Sequence, residues 1–224
     1  MAEKYYGVNA YGYCAGNPVN LVDLMGNDIW EVNKQGEVIT RKHDTNQDAF
    51  FIVAKDDDGQ YKRIQRTDDS GNMIDVSISF EKGTIKENSK TIRTINSKGD
   101  VSSKQLTIFE VRGDDNATQL FEFMASPLET TNVEWTHAKI GTEESGRNIV
   151  GTSHSNTSTL VGHYLRQTGY TLREVNHNHP DGDGRPSPGD KAGAREYHKI
   201  NSNTILNVYI HPEHYIRYNQ KGKY

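Results

Sequence analysis

The most informative stretch of this chain has a strand-turn-helix pattern, and it reads Leu172-Arg173-Glu174-Val175-Asn176-His177-Asn178-His179-Pro180-Asp181-Gly182-Asp183-Gly184-Arg185-Pro186-Ser187-Pro188-Gly189-Asp190. Residues 172–175 lead into the histidines as a strand. Pro180 ends that strand, because proline lacks the N–H that a sheet ladder needs. Two glycines and a proline then turn the chain. Ser187 followed by Pro188 is typical of a helix start, and we expect a helix over residues 187–200.

The two histidines and the last aspartate of this stretch can converge on one ion. Residues i and i+2 of a strand point to the same face, so His177 and His179 present both imidazoles on one side. Asp190 lies in the first turn of the predicted helix and points back toward the strand end. Two imidazole nitrogens and one carboxylate oxygen leave the fourth position of a tetrahedral site for water, which is typical of catalytic zinc. Alone, a His-x-His is more often a surface pair and a Ser-x-x-Asp a helix cap, but the complete string favours the metal site.

The composition excludes several other classes. The chain has 224 residues, enough for one large or two small domains. Its apolar fraction of 33% with 20 glycines predicts a folded protein with some thinly packed parts. A net charge of −4 gives no basic face for nucleic acid, and the single cysteine, Cys14, excludes an internal disulfide. No apolar run approaches the ~20 residues of a membrane span, and residues 1–6 do not resemble a signal peptide.

Two regions precede and surround the motif. Residues 28–112 carry recurring turn signals between β-rich pieces, and we expect a β-rich meander without chemistry. Residues 113–224 predict an α+β fold with a mixed β-sheet and flanking helices. Its expected elements are a helix capped by Asp115 or Asn116, a strand over 132–138, a loop or flap over 151–158, and a closing hairpin of 205–210 and 215–218.

The first 27 residues carry a pattern of their own. They contain Tyr11-Gly12-Tyr13-Cys14-Ala15-Gly16-Asn17-Pro18, followed by Asp23 and Gly26. This pattern resembles the end of an Rhs-repeat core, beyond which proteins of that family carry a variable toxin. Leu24 stands where the family usually has proline, so self-cleavage at this junction is not implied. The resemblance implies a carrier remnant at 1–27, a spacer at 28–112, and synthesis in the bacterial cytoplasm before secretion or delivery as part of a larger toxin. The alternative is an irregular N-terminal arm.

The complete motif, His-x-His, ten residues and then Asp, with Ser three before that Asp, resembles the motif of the JAB/MPN (JAMM) zinc metalloproteases. Residues 121–125 and 133–135 look like the JAB-like toxin branch of that family, which is attached to Rhs proteins. The resemblance implies a JAMM/cytidine-deaminase-like fold over 113–224. It also implies Zn²⁺ held by His177, His179 and Asp190, with Glu134 as general base and Ser187 helping to hold the tetrahedral intermediate. Asn178 stands where the family more often has Ser or Thr, and its side chain should face away from the ligands.

Glu134 and Ser187 each have a second interpretation. Glu134 could be a surface residue of an edge strand, and Ser187 could merely cap the helix. Glu143 and Glu144 are rival bases, but they lie in a loop flanked by glycines. Asp181 and Asp183 are alternative ligands that we expect to be solvated turn residues. We expect the remaining histidines of this half to lie outside the site: His137, His154, His163, His198, His211 and His214.

The sequence therefore predicts a zinc-dependent peptidase or isopeptidase that acts as a bacterial polymorphic toxin, in which zinc-activated water attacks an amide carbonyl. We expect a protein or peptide substrate and a cognate immunity protein that blocks the cleft, and no nucleic acid partner. One alternative is a catalytically inactive JAMM-like module that binds protein. Another is a zinc hydrolase of phosphodiesters, which the acidic composition disfavours.

Overall fold

The computed structural model describes residues 28–43, 46–95, 101–212 and 214–223. The Rhs-like remnant predicted at residues 1–27 lies outside them. The strands up to residue 95 are β1 (Ile29–Asn33), β2 (Val38–Lys42), β3 (Asp48–Lys55), β4 (Tyr61–Arg63), β5 (Gln65–Thr67), β6 (Met73–Asp75), β7 (Ser77–Phe80), β8 (Ile85–Glu87) and β9 (Lys90–Ile95). The later elements are β10 (Val101–Arg112), α1 (Asp114–Met124), β11 (Trp135–Ile140), β12 (Arg147–Thr152), α2 (Val161–Gln167), β13 (Leu172–Asn178), α3 (Pro188–Ile200), β14 (Ile205–Ile210), β15 (His214–Asn219) and β16 (Gly222–Lys223).

The candidate site is built on a mixed nine-stranded sheet. Its order is β16-β15-β14-β13-β11-β12-β10-β8, and β9 also pairs with β10. Strands β13 and β14 pair in parallel, whereas the strands next to them pair antiparallel. A parallel pair needs a crossover connection, and α3 supplies it between β13 and β14. The motif of residues 177–190 therefore spans the end of β13 and the start of this crossover.

A second sheet of five strands precedes it. Its order is β2-β1-β3-β4, with β7 also paired to β3. The first three of these strands include the parallel pair β1 and β3, which departs from meander connectivity. Strands β5 and β6 form a separate hairpin.

Apolar residues alternate along the central strands and bury a cluster on each face of the large sheet. On β11, Trp135 belongs to the first cluster and Ala138 to the second. The first cluster packs α1 and the five-stranded sheet through residues such as Phe121 and Trp30. The second cluster packs α2 and α3, which contribute Val161, Leu165, Ala194 and Tyr197. The helices on this second face form one wall of the site.

The predicted α+β fold with a mixed sheet and flanking helices is confirmed. The first apolar cluster takes residues from both sides of the predicted boundary between 112 and 113. The division into 28–112 and 113–224 stays a prediction, and any such division crosses this shared cluster. Among the described residues, no helix is both long and apolar enough to cross a membrane.

Two local predictions are wrong, and the sequence pattern gave no signal for α2. Helix α1 follows Gly113, whose φ is 88°, and no side chain caps it. Asn116, a predicted cap, instead donates from Nδ2 to the Arg112 carbonyl at 2.9 Å. Strand β11 begins at Trp135 and not at 132. Helix α2 has seven residues and no side-chain cap, so it depends on tertiary packing.

Candidate metal centre

The loop of residues 179–187 joins β13 to α3 at one end of the large sheet. Its two glycines, Gly182 and Gly184, suit the loop for different reasons. Gly182 has a φ of 76°, a left-handed conformation that favours glycine. A Cβ on Gly184 would collide with the side-chain ends of Ile210 and Ile216. Glycine at 184 therefore lets the loop pass close against β14 and β15.

The start of α3 places the aspartate. Ser187 Oγ accepts a hydrogen bond from Asp190 N at 3.1 Å, and Ser187 N donates to Asp190 Oδ2 at 2.6 Å. These reciprocal bonds form a capping box, and Pro188 occupies the first helical turn. The box holds the Asp190 carboxylate at the helix start, where it faces the end of β13.

Three donor groups meet at this point. The Nε2 atoms of His177 and His179 lie 3.2 Å apart, and they lie 3.1 and 3.4 Å from Oδ1 and Oδ2 of Asp190, respectively. Donors bound to one tetrahedral zinc ion at ~2.0–2.2 Å would lie about 3.3–3.6 Å from one another. The observed spacing is close to this range, so the three residues could hold a metal ion.

Contacts behind the ligands fix the orientation of both imidazoles. His179 Nδ1 lies 2.6 Å from the Asp183 carbonyl oxygen, which can only accept, so Nδ1 carries a proton. The Nε2 lone pair of the neutral ring then points to the donor cluster. The Tyr218 ring packs edge-on against His177, with 5.8 Å between ring centroids. Such outer contacts orient metal ligands and select the tautomer.

The charges of the cluster are strongly coupled. Burial acts to raise the pKa of Asp190, but hydrogen bonds and charge from His177 and His179 hold that pKa well below its usual range. Burial acts to lower the pKa of His179, but its bonds to Asp190 and the Asp183 carbonyl raise it to about 9. Without a metal, the cluster therefore keeps a carboxylate anion beside a protonated imidazole. A metal ion would replace that proton, which makes binding depend on pH.

Glu134 lies beside this cluster, one residue before β11. The antiparallel register pairs Thr136 with His177, so residue 134 falls opposite residue 179 and on the same face as both histidines. Its side chain is 7% exposed and lines the same groove, so it is not a surface residue of an edge strand. Burial raises the pKa of Glu134, while charges on His177 and His179 act to lower it. Within the described part of the chain, no group donates a hydrogen bond to its carboxylate.

The position of Ser187 is compatible with both roles considered for it, the helix cap and the hydroxyl donor. Its Oγ is the helix cap, because it accepts from Asp190 N. The hydroxyl proton is not used by that bond, and Ser187 lines the groove beside the donor cluster. Capping and donation to a substrate are therefore compatible.

A groove of about 1450 Å³ runs past the cluster, and we call it the site groove. Its walls come from loop residues 156–159 and from the facing sides of α2 and α3. Between these helices, the Arg166 guanidinium lies 5.2 Å from the centre of the Tyr197 ring. The groove exceeds the ~300–1,000 Å³ of a pocket for small molecules, and its size suits a segment of polymer.

The rival carboxylates do not reach the cluster. Glu143 and Glu144 follow the far end of β11, and its six residues put them roughly 17 Å or more from Trp135. Asp183 pairs with Arg185 at 2.8 Å, and this contact lowers the pKa of Asp183 to about 2. Asp181 accepts a hydrogen bond from Asp183 N. Among the described residues, the three-donor group contains neither of these two aspartates.

The other histidines have contacts of their own. His137 is fully buried on the opposite face, where its Nε2 bonds Asn148 Oδ1 at 3.1 Å. His163 lines the site groove, but its Nε2 lies 2.9 Å from Gln167 Nε2. His198 bonds Gln220 and the Thr204 carbonyl. None of the three joins the donor cluster among the described residues.

Sequence reasoning missed the structural use of Asn178. Its side chain does face away from the ligands and is 2% exposed. Asn178 Oδ1 accepts from Trp135 N at 2.6 Å, and Nδ2 donates to the Val133 carbonyl at 3.3 Å. A buried side-chain amide is almost always hydrogen-bonded, so an asparagine on the inner face of this strand indicates such a contact.

Residues 109–195 of the chain match the model of the family described as JAB-like toxin 1. The match contains α1, the strands β11 to β13, Glu134, Ser187 and all three metal donors. It supports a JAB-like toxin domain in this part of the chain. No curated protein and no solved structure matches the sequence.

Proposed function

We propose that this chain is a zinc-dependent peptidase or isopeptidase that acts as a bacterial toxin. The observation that carries the proposal is the carboxylate of Glu134. It is buried, it has no hydrogen-bond donor among the described residues, and it shares a face with three metal donors. Burying a charged group without a partner costs free energy, so a functional reason is the better explanation. The match to JAB-like toxin 1 supports the toxin assignment.

The donor set suits zinc at a catalytic site. Two imidazoles and one carboxylate, from His177, His179 and Asp190, form a common three-ligand set that leaves a position open. When bound, zinc would polarise the amide carbonyl and lower the pKa of water to ~7. The Asp183 carbonyl and the capping box hold two of these ligands in position before any metal arrives.

Glu134 would move the proton. Its carboxylate takes a proton from the attacking water and gives it to the amine nitrogen, which leaves as the C–N bond breaks. Burial raises the pKa of Glu134, which strengthens it as a base at neutral pH. The same shift keeps the protonated form accessible for the second half of the reaction.

Ser187 would stabilise the charge that develops on the carbonyl oxygen. Its Oγ is already an acceptor for Asp190 N, so the O–H has to point elsewhere, and the site groove lies beside it. A donor of this kind typically contributes ~2.7–4 kcal/mol to the barrier reduction.

The substrate we propose is a protein or peptide segment that lies along the site groove. The net charge of −4 disfavours nucleic acid as the alternative polymer. The Rhs-like pattern of residues 1–27 supports delivery as part of a larger toxin. A producing cell then needs protection, and we propose an immunity protein that covers the groove.

The first test is metal content by elemental mass spectrometry. We expect about one zinc per chain in the wild type and none in the double variant His177→Ala with His179→Ala. Glu134→Gln is the matched control, because it removes the base and leaves all three donors. In a bacterial host we expect growth arrest and new protein N-termini, or cleaved isopeptide branches, with the wild type and not with Glu134→Gln.

Two results would contradict the proposal. Failure to take up zinc would remove the metallopeptidase assignment. Zinc binding with no cleavage product that depends on Glu134 would leave a JAMM-like module that binds protein without catalysis.

A further inference from the structure

The side chain of Asn178 forms hydrogen bonds to the backbone on both sides of Glu134. We infer that Asn178 is a positioning residue, which fixes Glu134 relative to the metal donors. The inference rests on the proposed function of Glu134, but the hydrogen bonds that carry it are independent of that function. Its two contacts, to Trp135 N at 2.6 Å and to the Val133 carbonyl at 3.3 Å, lie directly after and before Glu134.

Glu134 lies just beyond the end of the pairing between β11 and β13. The pairing of β11 with β13 ends at Thr136 and His177, so residues 133 and 134 lie beyond the last paired residues of the two strands. The Asn178 side-chain amide adds one acceptor and one donor at this end of the pairing. Strand β11 begins at Trp135 because its pairing with β12 begins there, at Trp135 and Thr152.

The backbone N–H and carbonyl of Glu134 itself are hydrogen-bonded to β12 and the loop after it. Glu134 N donates to the Ser155 carbonyl at 2.8 Å, and Thr152 Oγ1 donates to the Glu134 carbonyl at 2.7 Å. Both partners lie on β12 or the loop after it. The Asn178 side chain hydrogen-bonds the residues on either side of Glu134 to the strand that leads into both histidines.

The position of Asn178 between the two ligands makes this link short. Strand alternation sends His177 and His179 to the metal face and Asn178 to the opposite face. Three consecutive residues, the last two of β13 and the first of the loop after it, therefore set both imidazoles and the backbone on either side of the base. Asn178 is 2% exposed, so water has no easy route to replace its bonds.

The chain offers a matched control two residues earlier. Asn176 lies on the same strand and the same face, and it is 1% exposed. It also has two side-chain hydrogen bonds, to Glu174 Oε1 at 2.9 Å and from Asn207 Nδ2 at 2.8 Å. Neither bond touches residues 133–135. Loss of a buried amide as such therefore affects both positions, whereas loss of the link to Glu134 affects only Asn178.

The experiment compares Asn178→Ala with Asn176→Ala in the zinc-loaded protein. Hydrogen exchange of the Trp135 amide, followed by NMR, reports the link directly. We expect exchange to accelerate about tenfold or more in Asn178→Ala and to stay near the wild-type rate in Asn176→Ala. Zinc content should remain about one per chain in both variants.

Turnover of fluorescently labelled casein, a generic unfolded substrate, reports the consequence. We expect kcat to fall about 10- to 100-fold in Asn178→Ala with little change in KM, because the base is misplaced while the groove is intact. Asn178→Ser can restore one of the two bonds, and its kcat should lie between those of Asn178→Ala and the wild type. It also serves as the test variant if Asn178→Ala does not fold.

Unchanged Trp135 exchange in the Asn178 variants would overturn the inference. Equal losses of kcat in Asn178→Ala and Asn176→Ala would also overturn it, because they would indicate general destabilisation. Absence of wild-type turnover, with faster Trp135 exchange only in the Asn178 variants, would count against the peptidase and leave the link to Glu134 supported.

Discussion

Substitution of Ser187 separates the helix cap from the hydroxyl donor. Ser187 Oγ accepts from Asp190 N at 3.1 Å at an exposed helix start, so Ser187→Ala should lower the free energy of unfolding by about 1 kcal/mol. Ser187→Gly should lower it by only a few tenths of a kcal/mol, since glycine is a tolerated cap residue. The bond from Ser187 N to Asp190 Oδ2 belongs to the backbone and survives in both variants. The metal donors should therefore keep their geometry.

The rate of amide hydrolysis should depend on the hydroxyl group of residue 187 and not on how well that residue caps the helix. Alanine and glycine both remove the O–H that would stabilise the developing oxyanion, which should cost ~2.7–4 kcal/mol, or about 10²–10³-fold in kcat. Ser187→Thr keeps a hydroxyl that can both accept from Asp190 N and donate, and it should retain most of the activity.

The assay pairs urea unfolding with kcat on one protein substrate, with zinc content as the control for the site. The expected pattern is a similar loss of kcat in Ser187→Ala and Ser187→Gly despite their different stabilities. A wild-type kcat in Ser187→Gly, with a deficit only in Ser187→Ala, would contradict a role of the hydroxyl as donor. Ser187 would then act only as the helix cap.

Three further predictions concern the base, the metal and a buried histidine. Glu134→Gln should keep zinc while kcat falls about 10²–10⁴-fold, and undiminished turnover would exclude Glu134 as the base. Free zinc at 1,000 times its Kd should raise the free energy of unfolding by about 4 kcal/mol, measured by urea unfolding with and without chelator, and the double variant His177→Ala with His179→Ala should show no such gain. His137 is fully buried, and desolvation lowers its pKa from 6.5 to about 4. Below pH 6.5 the unfolded chain therefore binds the proton that the folded chain excludes, and stability should fall by up to about 3 kcal/mol between pH 6.5 and 4. His137→Gln, compared in chelator, should flatten that part of the profile, and an unchanged slope would contradict the assignment.

The convergence of His177, His179 and Asp190 could be predicted because its geometry is local. His177 and His179 share a face through the two-residue period of a strand, and no distant residue is needed for that. Pro180 and the box of Ser187 and Asp190 set the end of β13 and the start of α3 from within the same stretch. Strand, loop and helix therefore followed from residues 172–190 alone.

Elements that depend on residues distant in the sequence could not be predicted from local patterns. The predicted caps of α1 were Asp115 and Asn116, but the helix begins earlier, at Asp114. Asp114 makes a bidentate contact with Arg173, and its Oδ1 also accepts from Asn148. Helix α2 is too short to show a helical period and depends on packing against α3. The parallel pair β1 and β3, and the shared cluster that joins them to α1, are likewise tertiary results.

The position of Glu134 depends on both local sequence and tertiary pairing. A glutamate between apolar residues is visible in the sequence, but its distance from His179 depends on the register of β11 against β13. A slip of one residue would turn Glu134 to the opposite face, away from His177, His179 and Asp190. Strand ends are where pairing is weakest, and Glu134 lies just beyond one. The two bonds of Asn178 hold the segment at that end, so the residue between the two histidines also secures the register that places Glu134 beside them.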